Sequence, residues 1–229
     1  MLKYVHRLIN HPVDSNCFVL EGTIDNRCIV IDPGTEDCAE LFAFLLERQL
    51  TVQYIFLTHE HIDHIIGCKA LKDRYPEAKL VCSDLCSAHL NDTRYNLSRF
   101  VEQFTPHDSF PEADLVYSEE LVIKWQDIKA RFFKAMGHSQ GSSHALIDNC
   151  LFVGDTFIYH YKSTTTLPGS SKLEMLKTFD CLMNDYKDKD IMVYPAHFDS
   201  CKPGEMRNEL MPQIERMRAF LKKRVSDGK

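Results

Sequence analysis

Thr58-His59-Glu60-His61-Ile62-Asp63-His64, with Gly67 three residues on, stands directly after the apolar run Tyr54-Ile55-Phe56-Leu57. That run is too short and too continuously apolar for a surface helix, so it reads as a buried strand ending at Thr58. In the extended loop that follows, His59 and His61 alternate and can face one point. Asp63 and His64 come just beyond and can serve a second point close by. Imidazole and carboxylate are the donors that zinc takes in hydrolytic sites, so three histidines and an aspartate within six residues point to a metal centre. Glu60 falls on the other side by alternation and is expected to support the loop or face solvent, not to act as a general base.

A mere surface cluster of titratable residues would predict no partners elsewhere. A metal centre does predict them, because four side chains cannot close two coordination spheres. Three further candidates stand just beyond apolar strands in the second half. Gly137-His138-Ser139-Gln140-Gly141-Ser142 follows Arg131 to Lys134, Gly154-Asp155-Thr156 follows Leu151 to Val153, and Pro195-Ala196-His197 follows Ile191 to Tyr194.

Outward from these motifs, Tyr4 to Ile9, Cys17 to Glu21 and Cys28 to Ile31 are apolar runs separated by turn residues, which predicts an antiparallel meander stopped by Asp32-Pro33-Gly34. Glu36 to Leu50 carries Leu41, Phe42, Leu45 and Leu46 at helical spacing. Ile65 to Tyr75 reads as a helix closed by Pro76, Lys79 to Cys82 as a strand, and Ser83-Asp84 as the start of a helix over Leu85 to Leu90. Residues 91 to 113, with Pro106 and Pro111, read as a loop or short helix over one face. Strands are expected at Leu121 to Lys124, Ile128 to Lys134, His144 to Ile147, Leu151 to Val153 and Ile191 to Tyr194. Helices are expected at Ser171 to Met183 and Glu205 to Lys223, the last kinked near Pro212, with Met206, Leu210, Ile214, Met217 and Leu221 facing the core. Meander, helix, strand and helix recur in each half. The expectation is one domain over residues 1–229, an α/β fold of two packed sheets with helices outside, a four-layer αββα sandwich.

Asp32-Pro33-Gly34 and the stretches around residues 58–67, 137–142, 154–156 and 195–197, in that order, resemble the metallo-β-lactamase superfamily, and within it the glyoxalase II-like hydrolases. The resemblance implies one metal held by His59, His61 and His138, a second held by Asp63, His64 and His197, and Asp155 bridging them. It implies that Asp32 and Thr58 hold ligating imidazoles in orientation. It also implies two divalent ions, zinc foremost with iron or manganese as alternatives, and a bridging hydroxide nucleophile that Asp63 both ligates and orients. A carbonyl would be attacked without any Ser/His/Asp triad. The expected activity is hydrolysis of a small acyl compound, a thioester or ester.

Departures from the family pattern narrow this expectation. Members that hydrolyse glutathione thioesters carry a Gly-rich, Arg-containing segment after the bridging aspartate, where this chain has Phe157-Ile158-Tyr159-His160-Tyr161-Lys162-Ser163-Thr164. Tyr159, Tyr161 and Lys162 are therefore the candidates for lining a substrate cleft. The glycines flanking the last histidine are replaced in Pro195-Ala196-His197-Phe198, which predicts a bulkier pocket floor. The chain also ends about where such enzymes continue into a helical substrate-binding region. A single-iron persulfide dioxygenase is the alternative reading, with a phosphodiesterase or a non-catalytic metal-binding protein behind it.

Bulk numbers exclude several other classes. Of 229 residues, 44% are hydrophobic, ample for a buried core. The 27 basic against 33 acidic side chains leave a net charge of -6, which draws no nucleic acid. The N-terminus mixes Lys3, His6 and Arg7 into its apolar residues, and no apolar stretch reaches the ~18 residues of a membrane span, so neither signal peptide nor membrane partner is expected. The nine cysteines are odd in number, with no Cys-x-x-Cys pair, and several, such as Cys28, Cys150 and Cys181, lie in apolar runs. They read as reduced core thiols of a cytoplasmic protein acting on a small molecule. The remaining histidines, His6, His11, His89, His107, His144 and His160, have no place in the motif pattern.

Overall fold

The structure, a computed structural model, describes residues 1–101 and 109–226. Pro106 and His107 lie outside the described residues. Strands β1 (Leu2–Ile9), β2 (Asn16–Gly22) and β3 (Arg27–Ile31) form the expected antiparallel meander, and β4 (Thr51–Phe56), β5 (Lys79–Ser83) and β6 (Leu115–Tyr117) extend it as parallel neighbours. The second sheet pairs β7 (Glu120–Trp125), β8 (Ile128–Lys134), β9 (Ser143–Ile147) and β10 (Cys150–Gly154) antiparallel, and adds β11 (Met192–Pro195) parallel to β10.

The two-residue period of each strand sorts its side chains between layers. On β2, Phe18 and Leu20 turn into the space between the sheets, where they meet Phe132, Ala145 and Phe152 of the second sheet. Cys17 and Val19 turn outward beneath α1 (Ala39–Glu47), α2 (Ile62–Ile65), α3 (Cys68–Arg74) and α4 (Asp84–His89), whose Leu41, Leu45, Ile65, Leu71 and Cys86 cover them. On β10, Phe152 faces the inter-sheet core while Leu151 and Val153 pack on α5 (Lys172–Asp185) and α6 (Pro203–Ser226) through Met175, Phe179, Leu182, Met206, Leu210 and Ile214. The result is four layers, αββα. Because both faces of both sheets are covered, the inner strands read as continuous apolar runs. Each fully buried large side chain, such as Phe56 or Phe132, contributes about 1.5–3 kcal/mol.

Several elements differ from the sequence expectation. The first helix begins at Ala39, not near Glu36, because Cys38 takes a left-handed φ of 51° and points its thiol at the carbonyls of Thr35 and Gly67. The helix expected from Ile65 to Tyr75 starts earlier, at Ile62, and is cut into α2 and α3 at Gly67, whose N–H leaves the helical pattern to donate to Pro33 O at 2.8 Å. Strand β6 is too short to show a period in sequence. In the described part of residues 91–113 there is one 3-10 turn, Ser98–Phe100. Helix α6 runs through Pro212 from Pro203 to Ser226 and buries Met206, Leu210 and Ile214 as expected. All nine cysteines are free, but Cys181 is exposed on α5 and not in the core, because the helix turns it away from the buried Phe179 and Leu182.

Candidate metal centre

Every motif residue lies at or just beyond the C-terminal end of a strand, and main-chain contacts lock these loops together. Asp32, at φ 52°, follows β3 and accepts from the Thr58 N–H (2.8 Å) and hydroxyl (2.6 Å). Thr58 O accepts the Ser143 N–H at 2.8 Å, so the loop after β4 is tied to the second sheet. Two glycines permit the close approach: a side chain on Gly34 would collide with the Asp63 carbonyl, and one on Gly154, at φ 54°, would crowd Thr58. Asn16 Nδ2 donates to Pro195 O (3.0 Å) and Phe198 O (2.8 Å), which fixes the loop after β11.

Two clusters of donor atoms result. In the first, His61 Nδ1 lies 3.0 Å from both His59 Nε2 and His138 Nε2. One ring nitrogen has a single lone pair and cannot accept from two donors, so hydrogen bonding does not explain the convergence. Three nitrogens around one point do, since a tetrahedral zinc with bonds of about 2.05 Å has edges of ~3.3 Å. In the second cluster, Asp63 Oδ2 lies 3.3 Å from His64 Nε2 and 3.6 Å from His197 Nε2. Asp155 stands between the clusters. Its Oδ2 is 3.5 Å from His138 Nε2, while its Oδ1 is 3.5 Å from His197 Nε2 and 3.8 Å from His64 Nε2. His64 Nε2 and Asp155 Oδ1 are buried without a hydrogen-bond partner, which is costly unless something else binds them. The donor set and these orphaned atoms fit divalent metal ions.

The electrostatics of the two clusters diverge. Burial, with the neighbouring imidazoles His64 and His61, pushes His59 well below its ordinary value, and burial with His138 takes His61 down to about 4. Burial lowers His138 as well, although Asp155 opposes it. These rings are neutral, with lone pairs free to donate. Burial alone would lower His64 and His197 too, but Asp63, Asp32 and Asp155 raise His64 well above its usual value, and Asp155 and Asp63 raise His197 to about 10. Burial likewise works against the ionised carboxylates, yet His64 and His197 hold Asp63 well below its ordinary range, and His197, His64 and His138 do the same for Asp155. Both carboxylates are anionic and can offset metal charge.

The surrounding contacts set which ring nitrogen faces inward. The Thr58 hydroxyl gives its proton to Asp32 and so accepts from His59 Nδ1 at 3.0 Å, leaving His59 Nε2 as the lone-pair donor. Asp32 Oδ2 sits 3.3 Å from His64 Nδ1. His197 Nδ1 donates to Asp14 O at 2.9 Å, a contact invisible in sequence because it joins the two ends of the chain. Glu60 is fully buried, not exposed. It accepts from the Ser139 hydroxyl at 2.8 Å and faces His89 Nδ1 at 3.5 Å, and its carboxyl, which burial would raise, is lowered by that histidine, by His61 and by Ser139. It therefore joins the His59–His61 loop to the His138 loop. Among the substrate candidates, Tyr159 donates its hydroxyl to Glu205 of α6 at 3.2 Å, Lys162 is exposed, and Tyr161 stacks on Phe198. His144 is buried against Phe133 and belongs to neither donor cluster, and His160 is exposed beside Glu209.

A four-layer αββα sandwich with a histidine-rich site for divalent metal at its strand ends defines a class of metal-binding proteins, mostly hydrolases. The sequence profile of the metallo-beta-lactamase superfamily matches residues 11–197, which include all the residues of both clusters, and the chain belongs to that superfamily. A hydroxyacylglutathione hydrolase of Photobacterium profundum is 30% identical over 131 residues, 57% of this chain and 42% of that protein. Among solved structures, the BLEG-1 B3 metallo-beta-lactamase superposes with a TM-score of 0.80 at 24% identity, covering 90% of this chain and 97% of that one. ETHE1 from Myxococcus xanthus superposes at 0.71 and 17% identity, over 88% and 80%. Both structures bear on the fold alone. Among the described residues no helix is long and apolar enough to cross a membrane.

Proposed function

We propose that this chain is a one-domain, dinuclear metal-dependent hydrolase of a small acyl compound, a thioester or related ester, working in the cytoplasm without a nucleic-acid or membrane partner. The observation that carries this reading is Asp155, whose two carboxylate oxygens face different histidine clusters. His59, His61 and His138 would hold one ion and Asp63, His64 and His197 the other, with Asp155 shared and zinc the expected metal. Bound there, such a pair supplies hydroxide at neutral pH and polarises a carbonyl.

The chain's own residues do the rest. Asp63 has the most exposed side chain of the seven, at 18%, so its carboxylate is placed to accept a hydrogen bond from an attacking water and aim it at an incoming carbonyl. Thr58 and Asp32 hold the imidazoles still while charge develops, which limits reorganisation during reaction. The thioester preference has support from the Photobacterium relative, whose name gives hydroxyacylglutathione, itself a thioester, as its substrate. The segment after Asp155 has no arginine to grip an anionic conjugate, which favours a smaller, neutral substrate. A single-iron persulfide dioxygenase would need only the first cluster and Asp155, and would leave Asp63, His64 and His197 without a task.

A side-by-side assay on metal-loaded protein tests the proposal, using a small thioester, a glutathione thioester, a nitrophenyl phosphodiester and a persulfide. The small thioester is expected to turn over at least about tenfold faster than the others and to stop when a chelator is added. Dominance by the phosphodiester, or oxygen uptake with the persulfide, would overturn the reading.

A further inference from the structure

Of the seven clustered side chains, His59, His61, His64 and His138 are sealed, whereas Asp63, His197 and Asp155 retain 18%, 15% and 10% exposure. A substrate must therefore arrive on the side of Asp63 and His197. Two aromatic rings stand there. Phe198 follows His197 directly, with ring centroids 6.2 Å apart, and Tyr161 closes the turn that leaves Asp155. Their rings stack at 4.3 Å and 15°, yet Tyr161 is 53% and Phe198 48% exposed, so about half of this aromatic surface is left to solvent.

The backbone is strained to put them there. Phe198 has φ 61° and His160, in the turn before Tyr161, has φ 66°, a region that bulky residues rarely adopt. The Phe198 position is held through its main chain: its carbonyl accepts from Asn16 Nδ2 at 2.8 Å and from Arg7 Nη1 at 2.7 Å, and Arg7 also bonds Asp199. Those contacts would hold any residue in place, so they do not account for the ring. A strained, exposed aromatic beside a reactive centre costs stability and points to a use in binding.

We propose that Tyr161 and Phe198 form an aromatic wall that selects acyl groups carrying a flat apolar ring, so that the substrates are arylalkyl or aryl thioesters. The proposal rests on the hydrolase reading and deepens it. A ring on the substrate lies against the exposed faces of the pair in an offset stack, a geometry that rings favour beyond simple area burial. The acyl carbonyl then points past His197 toward Asp63 and Asp155. Lys162, exposed next to Tyr161, leaves the rim open to water, so the wall grips one group and does not enclose a large conjugate.

The test compares phenylacetyl, octanoyl and acetyl thioesters of N-acetylcysteamine on the metal-loaded wild type, Phe198→Gly and Tyr161→Ala. In the wild type, kcat/KM for phenylacetyl is expected to exceed both others at least about tenfold, a difference of the size one buried ring contact supplies. In each variant the phenylacetyl-to-acetyl ratio falls at least about fivefold, through KM. In parallel, neutral phenylacetamide is followed by ligand-observed NMR on metal-free protein. Its signals are attenuated by the wild type and not by Phe198→Gly. Thermal unfolding separates strain from support: Phe198→Gly relieves the positive φ, so Tm holds or rises by roughly 2 °C. Octanoyl equal to phenylacetyl, an unchanged ratio in the variants, or a Tm lowered by more than about 5 °C would each overturn the wall. If the wild type cleaves no thioester at all, the hydrolase reading fails, and the phenylacetamide arm still decides whether the wall binds rings.

Discussion

His144 lies wholly buried on β9 with its ring edge-on to Phe133 at 5.6 Å, and its Nε2 has no hydrogen-bond partner. Burial pushes its pKa down to about 3, while in the unfolded chain it titrates near 6.5. The native ring is thus neutral where the unfolded ring takes up a proton. Its contribution to stability is complete above about pH 6.5 and is lost as pH falls toward 3. For the metal-free protein, urea unfolding between pH 4 and 6 should show stability falling by up to about 1.4 kcal/mol more per pH unit in the wild type than in His144→Gln. Parallel curves would contradict this. His138 and His144 look alike in sequence, both close to a strand end. What separates them is that His138 follows a strand within a Gly-bounded loop, a pattern legible as a ligand position, whereas the fate of His144 depends on α5 and Phe133, which sequence does not place beside it. Glu60 is a similar case: alternation correctly turned it from His59 and His61, but only the meeting with Ser139 shows that this direction is inward.

Among the elements, α5 was legible almost to its ends because Ser171 is a good cap before an apolar stripe. The Ser171 hydroxyl accepts from the Glu174 N–H at 3.3 Å, and the Ser171 N–H donates to Gly137 O at 2.9 Å, which joins the helix start to the loop of His138. Ser171→Ala removes the cap but keeps the backbone bond. It is expected to cost about 1 kcal/mol and lower Tm by roughly 2–4 °C, measured by calorimetry. A neutral result would mean that packing of Met175 and Phe179 alone sets the helix start. The break between α2 and α3 was not legible, because Ile62 to Arg74 has no proline and the interruption depends on Gly67 meeting Pro33, a contact between separate loops. Strand β6 was missed for a simpler reason: three residues cannot display a period, and only pairing with β5 defines it.

On the scale of the whole molecule, two sheets packed face to face bring loops from residues 14 to 198 to one edge. Apolar runs ending in lone His or Asp residues foretold that convergence, since a motif in the first half demanded partners from the second. The structure brings together all seven residues that sequence and resemblance nominated. Of the proposed aromatic wall only half is legible in sequence: Tyr161 is a candidate from its place after Asp155, but the positive φ of Phe198 and the stack between the two rings exist only in the folded chain. Substrate selection is written in such loop geometry, so sequence motifs specify the chemistry of the centre more fully than the molecule it acts on.

Elemental analysis of the purified wild type beside Asp155→Ala reads out whether Asp155 joins two metal positions. Close to two transition-metal ions per wild-type chain are expected, and fewer than one in the variant, because Asp155 faces both clusters at once. One tightly bound iron with no second metal in the wild type, or an undiminished metal content in Asp155→Ala, would contradict it.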